Sequence, residues 1–209
     1  MTDNKYPGTD VLINKFDIRN YEQLEKVERM LTAERLYELN KNPLYGSFSF
    51  QHLKNIHRNI FQDIYPFAGK VRDVTIHKGN TTFCFCWAID DESKRIFGEL
   101  KNEKQLRGLS LNEFKNKMSY YLSEINMLHP FREGNGRTQR EFMRLLAMKN
   151  GYNLDWTKIT KNEMYEASLK SKIESAAFVN IFSKVITNQE RSLSLVNEFK
   201  LANTNQLEL

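Results

Sequence analysis

The chain has 209 residues, 40% of them hydrophobic and 27% charged, with 31 Lys+Arg against 26 Asp+Glu for a net charge of +5. This is the profile of one globular domain with a sizeable core, and nine glycines with four prolines are too few for the tight turns of a sandwich or barrel. No apolar run reaches bilayer length, the first ten residues carry no leader pattern, and the basic residues are interspersed with acids, so neither membrane nor direct nucleic-acid binding is expected.

From Tyr21 to Asn40 apolar residues recur at helical spacing (Leu24, Val27, Met30-Leu31, Leu36), and Asn42-Pro43 ends the pattern because a residue before proline leaves the α region. A second helix is expected from Ser49 to Tyr65, with Leu53, Ile56, Ile60-Phe61 and Ile64 on one face, stopped by Pro66 and Gly69. His52 and His57 lie five apart on it, off a shared metal-binding face, and read as structural. Lys70 to Trp87 is the one β segment: Val71, Val74, Ile76 and Thr81, Thr82, Phe83 flank a hairpin tip at Lys78-Gly79-Asn80. A lone hairpin is marginal, so it must rest on helices. Cys84 and Cys86 are poorly placed to bridge each other and too few for a zinc site, which fits a reducing, cytoplasmic compartment.

Helices resume at Asp90-Asp91, read as an N-cap and acidic first turn, and Trp87 and Trp156 are assigned to the core. Ser110 to Glu113 is a capping box opening a helix with the stripe Phe114, Met118, Tyr121, Ile125, Leu128, and Thr160 to Glu163 repeats the box. The expected fold is mainly α: a helical bundle with a short β-hairpin flap.

The chemistry concentrates in His129-Pro130-Phe131-Arg132-Glu133-Gly134-Asn135-Gly136-Arg137-Thr138-Gln139-Arg140. Pro130 ends one helix and another starts near Asn135. Gly-Asn-Gly at a helix start exposes amides at the positive end of the dipole, which favours anions. Arg137, Arg140 and Arg144 follow at spacings of three and four, and guanidinium groups beside an amide nest suit a polyphosphate. Glu133 offers a carboxylate oxygen to a magnesium ion on such phosphates, and His129 is placed to take a proton from an incoming hydroxyl. A lone histidine at a helix end is ordinarily a cap; the joint pattern within twelve residues is what points to function.

These residues resemble the Fic family at every defined position of its motif, H-P-F-x-[D/E]-G-N-G-R-x-x-R. Tyr6-Pro7-Gly8-Thr9 with Asn14-Lys15, Ile56-His57, and Phe61 through Arg72 extend the likeness to roughly residues 5–187. The resemblance implies a single Fic domain over 1–187 followed by a helical tail, 188–209. It implies a protein adenylyltransferase that moves AMP from ATP to a hydroxyl side chain, Ser, Thr or Tyr, of a target protein. His129 is then the general base and Glu133 the Mg²⁺ ligand. Arg132, Gly134, Asn135, Gly136, Arg137 and Arg140 bind ATP and its phosphates, with Arg140 on the γ-phosphate, while Phe131 packs beneath the loop. Thr75, Ile76, His77, Lys78 and Gly79 belong to the flap that aligns the target by strand-like pairing. Lys78 reads equally well as a ligand contact or a solvated tip lysine.

A lysine in place of Gly136 would resemble the Doc branch, which phosphorylates its target; a glycine stands there, so AMP transfer is the preferred branch. The resemblance further implies a toxin restrained by a small separate antitoxin whose helix carries [S/T]-x-x-x-E-[G/N] and pairs its Glu with Arg140. Within this chain Ser194 to Phe199 and Thr204 to Leu209 match five positions of that hexapeptide, which makes Glu198 and Glu208 tail alternatives to an antitoxin. A type II topoisomerase subunit is the family's expected target. Alternative readings are transfer of UMP or phosphocholine on the same scaffold, and a non-catalytic nucleotide-binding regulatory partner.

Overall fold

Asn20 starts the first helix, α1 (Tyr21–Lys41), by accepting a hydrogen bond from the Gln23 amide, and Leu24, Thr32 and Leu39 are the residues it buries. Met30, expected in that stripe, is 65% exposed. The computed structural model describes residues 3–79 and 81–207, with side chains to residue 201. Ser49 caps α2 (Phe50–Phe61), which buries His52, Leu53, Ile56, His57, Ile60 and Phe61. This helix ends four residues before the expected Tyr65: the Ile64 amide donates to the Phe61 carbonyl at 3.1 Å, an i→i−3 bond that tightens the chain out of the α ladder.

The β segment is shorter than the sequence suggests. Among the described residues of this segment only β1 (His77–Lys78) and β2 (Thr81–Thr82) pair as strands, antiparallel, with His77 opposite Thr82 and Lys78 opposite Thr81. Beyond the Phe83–Ile76 bond the amides of Arg72 and Cys84 turn to other elements: Arg72 donates to Pro130 O at 2.9 Å and Cys84 to Met127 O at 3.0 Å. Trp87 is not a core residue; it is 78% exposed and stacks on Phe85. Trp156 is half-buried beside Phe182.

Helix α3 (Ile89–Asn102) begins one residue before Asp90, so Asp90 and Asp91 supply the acidic first turn but not the cap. The next helix, α4 (Leu111–Leu128), opens on the complete Ser110–Glu113 capping box and buries the whole expected stripe from Phe114 to Leu128. It leads into α5 (Asn135–Lys149), which packs against α2, α4 and the last helix. The remaining helices are α6 (Lys161–Lys170), opened by the Thr160–Glu163 box, α7 (Val179–Val185) and α8 (Leu193–Leu207). Phe61, Phe114, Phe131, Phe142, Phe178 and Phe182 are fully buried between them. Each such ring contributes about 1.5–3 kcal/mol by leaving water. Among the described residues no helix is long and apolar enough to cross a membrane.

Candidate active site

Helix α4 hands the chain to the motif through His129, its C-cap, which sits in the left-handed region at φ 44° and ψ 57°. The His129 amide donates to Ile125 O at 3.1 Å. Its Nδ1 lies 3.2 Å from the Asn126 carbonyl, which only accepts, so Nδ1 bears the proton and Nε2 keeps its lone pair. Phe83, just beyond β2, stacks on the imidazole at 3.8 Å. Burial, together with the charges of Arg72 and Lys78, holds the ring's pKa down to about 4 against the pull of the Asn126 carbonyl. At neutral pH it is an uncharged base.

The loop from Phe131 to Gly134 is held from below. The Asn135 side chain accepts from the Phe131 amide at 3.0 Å and donates to the Phe131 carbonyl at 2.8 Å. His57 receives the Gly69 amide on Nδ1 at 2.8 Å, so its Nε2–H donates to Glu133 O at 2.9 Å. That ring stacks on Phe131 at 3.9 Å, and burial pushes its pKa down to about 4. His57 is structural, as the sequence suggests, but what it supports is the motif loop. Gly134 has φ +79°, and a Cβ there would come within 2.1 Å of the Phe61 ring. The first intrahelical bond of α5 is Thr138 N to Gly134 O, so the amides of Asn135 to Arg137 stand ahead of it at the positive end of the dipole.

The arginines expected on one side of α5 have different surroundings. Arg144 is tied to both oxygens of Glu141 at 2.8 and 2.7 Å and to Leu39 O. Arg137 donates to Glu28 at 2.5 Å, to Thr32 at 3.0 Å and to Glu133 at 3.4 Å, with its guanidinium 4.7 Å over the Phe61 ring. The other oxygen of Glu28 accepts from the Tyr65 hydroxyl. Arg132 directs Nε at the Asp3 carboxylate and carbonyl, both at 3.0 Å. Arg140 alone of the four motif and post-motif arginines has no carboxylate partner among the described residues. Its Nη1 lies 3.3 Å from where a Gly136 Cβ would be, over the nest. Burial, then the charge of Arg137, pushes its pKa down. An uncompensated, half-buried cation beside free amides is an anion site.

Two cavities meet at Arg137. One of about 610 Å³ is lined by Glu28, His77, Arg132, Glu133 and Arg137. The other, about 600 Å³, runs from α1 to Trp156 past Arg137, Arg140 and Arg144. Glu133 is 44% exposed, and one of its oxygens accepts the Gly134 amide at 2.8 Å. Among the described residues there is no cluster of three metal-ligating groups. One exposed carboxylate beside these amides fits Mg²⁺, which is commonly held by one or two carboxylates plus a bound ligand's phosphates.

In the flap, Phe83 N donates to Ile76 O at 3.2 Å and Cys86 N to the Thr75 hydroxyl at 3.3 Å. His77 Nδ1 lies 3.0 Å from the Thr82 hydroxyl, and Gly79 takes φ 56°. Lys78 stands 6.0 Å over the Tyr165 ring of α6. Asn80, at the expected tip, falls outside the described residues. In the tail, Phe199 packs on Tyr45 and Phe48, and among the described residues no ion pair joins its neighbour Glu198 to Arg140. Glu208 lies outside the described residues. Glu28 and Arg72, absent from the sequence-derived site candidates, reach the motif from 109 and 57 residues away; Arg72 closes the family-like run from Phe61, and no local pattern marks Glu28.

The Fic/DOC family model matches residues 47–147. The chain is 42% identical over 165 residues to protein adenylyltransferase VbhT of Bartonella schoenbuchensis, covering 79% of this chain and 34% of that protein, so it spans about a third of that relative's length. It is 37% identical over 188 residues to a probable protein adenylyltransferase Fic of Escherichia coli K12, covering 90% of this chain and 93% of the relative. Among solved structures, the N-terminal Fic domain of a cell filamentation protein from Bartonella quintana with bound ADP superposes with TM-score 0.85 at 27% identity, covering 93% and 98% of the two chains. BepC of Bartonella tribocorum with bound AMPPNP gives TM-score 0.84 at 25% identity, over 90% and 98%. With the complete motif, the helical bundle and these likenesses together, the chain belongs to the Fic/DOC family.

Proposed function

We propose that this chain transfers AMP from ATP to a hydroxyl side chain of a target protein. The observation that carries the reading is a neutral His129 with Nε2 free, at the edge of an amide nest over which Arg140 stands without a carboxylate partner among the described residues. Relatives named protein adenylyltransferase, and neighbours solved with ADP and AMPPNP, support nucleotide as the co-substrate.

His129 Nε2 takes the proton of a Ser, Thr or Tyr hydroxyl as its oxygen attacks the α-phosphorus. The new O–P bond forms as the bond from the α-phosphorus to the β-bridging oxygen breaks, and pyrophosphate leaves. The amides of Asn135, Gly136 and Arg137 cradle the phosphates and Arg140 grips the terminal one, which sets the line of attack. Glu133 is the residue that would hold Mg²⁺, whose chemistry there is neutralisation of phosphate charge. Arg137 acts less as a ligand than as a brace: Glu28, Thr32 and Phe61 fix its guanidinium beside Glu133. Thr75 to Gly79 line up the target segment, with His77 facing the cavity that Glu133 also lines.

Regulation by a small antitoxin follows the same site. A partner carboxylate presented along the groove from Leu36 to Trp156 meets Arg140 and displaces the terminal phosphate. A type II topoisomerase subunit is the proposed target class. The test is incubation with ATP labelled on the α-phosphate, Mg²⁺ and a bacterial lysate, alongside His129→Ala. A labelled protein band absent with the variant is expected; a band that persists with His129→Ala would remove the base from the mechanism.

A further inference from the structure

Between α2 and the flap, Arg72 is 3% exposed and among the described residues has no carboxylate within ion-pair distance. Its donors go to carbonyls instead: Nε to His129 at 2.7 Å, Nη1 to Val74 at 2.6 Å, and Nη2 to Cys84 at 2.5 Å and Leu128 at 3.4 Å. Val74 precedes β1 and Cys84 follows β2, so a single guanidinium ties both legs of the flap to the end of α4.

A buried cation without a counter-ion is costly, and where stability alone is at stake apolar residues of like volume often serve as well. Two features offset the cost here. The Leu128 and His129 carbonyls lie at the negative end of the α4 dipole, and the planar fork reaches separate acceptors at once, which an ammonium does not. The left-handed backbone of His129 also has to be held by its surroundings.

We propose that Arg72 is a positioning residue for the transfer reaction: it fixes the backbone of His129 and both flap legs as one unit, so that the base and the target hydroxyl meet in a set geometry. The inference rests on AMP transfer with His129 as base. None of these bonds reaches the Gly134–Gly136 amides or Arg140, so nucleotide affinity is separable from transfer.

The experiment compares wild type, Arg72→Lys, Arg72→Ala with and without millimolar methylguanidinium, and His129→Ala. Each is checked for folding by circular dichroism at the assay temperature, then measured for ADP affinity and for AMP transfer from α-labelled ATP to the lysate target. Since misplacing reacting groups by about 1 Å costs about 100-fold, Arg72→Lys is expected to transfer about 100-fold more slowly with ADP affinity within about threefold of wild type. Methylguanidinium is expected to restore part of the transfer in Arg72→Ala. Wild-type transfer in Arg72→Lys, parallel loss of ADP binding and transfer, absence of rescue, or failure of the variants to fold would each overturn the inference. A wild type that transfers no label overturns the underlying reading as well, whereas a labelled wild type with an unaffected Arg72→Lys overturns the inference alone.

Discussion

His57 and His129 are both neutral and half of one another's logic. In His57 the Gly69 amide donates to Nδ1 and the Nε2–H donates to Glu133 O; in His129 the Nδ1–H donates to the Asn126 carbonyl and leaves the Nε2 lone pair free. Since the free protein's His129 pKa is lowered to about 4, its base form is present throughout the neutral range and is lost as pH falls through that value. The acid limb of kcat/KM is therefore expected well below the ordinary histidine value; a limb at that ordinary value would contradict the buried, Arg72-facing imidazole. Arg140→Ala removes a cation with no carboxylate partner among the described residues, and charged hydrogen bonds contribute about 1.5–3 kcal/mol, so ATP affinity is expected to fall about tenfold or more. Unchanged affinity by calorimetry would refute its phosphate role. At this scale the motif was legible because His129, Glu133, the glycines and Arg140 fall within twelve residues. The partners that fix them were harder to read: Glu28, His57 and Arg72 act across long sequence separations, and nothing local ties Arg137 to Glu28.

Local patterns predicted the helices well where caps decided them. The Ser110 and Thr160 boxes both form and the α4 stripe is wholly buried, whereas the cap expected at Asp90-Asp91 is replaced by Ala88. They failed where tertiary bonds compete with the ladder: residues around Arg72 and Cys84 look like strand, yet their amides go to Pro130 and Met127. Trp87 was misplaced for a related reason, since an aromatic beside a hairpin is core only if a helix covers it, and Trp87 stacks on exposed Phe85 instead. The turn into α5 gives a sharp contrast. A Cβ at Gly134 would meet Phe61 at 2.1 Å with φ +79°, while one at Gly136 would meet only the tip of Arg140 at 3.3 Å. Gly134→Ala is expected to cost at least about 1–3 kcal/mol by overpacking and to loosen ADP binding, with Gly136→Ala milder in thermal melts. Equal effects from the two would mean the nest does not depend on that close approach.

The whole bundle is built to bring an amide-bearing helix start, α5, against α2 and α4, and this places three histidines in or near its core. His52, His57 and His129 all have pKa values pushed below the ordinary one by burial, the latter two to about 4. The unfolded chain then binds more protons than the folded one between about 6.5 and 4, so stability rises with pH across that window and is lost as pH falls through it. Urea midpoints are expected to decline from pH 7 to pH 5; a flat profile would mean these imidazoles titrate normally in the fold. The family fold was legible almost along the whole chain. Target, partner and tail regulation were not, because those depend on surfaces of other molecules or on residues whose sequence pattern, S/T-x-x-x-E, is common in polar helices.

The most direct test of AMP transfer is a two-label assay with wild type and His129→Ala. ATP labelled on the α-phosphate is expected to mark a target protein, ATP labelled on the γ-phosphate to leave it unmarked, and the variant to transfer neither. Transfer of the γ-label, or α-label persisting without His129, would contradict the account.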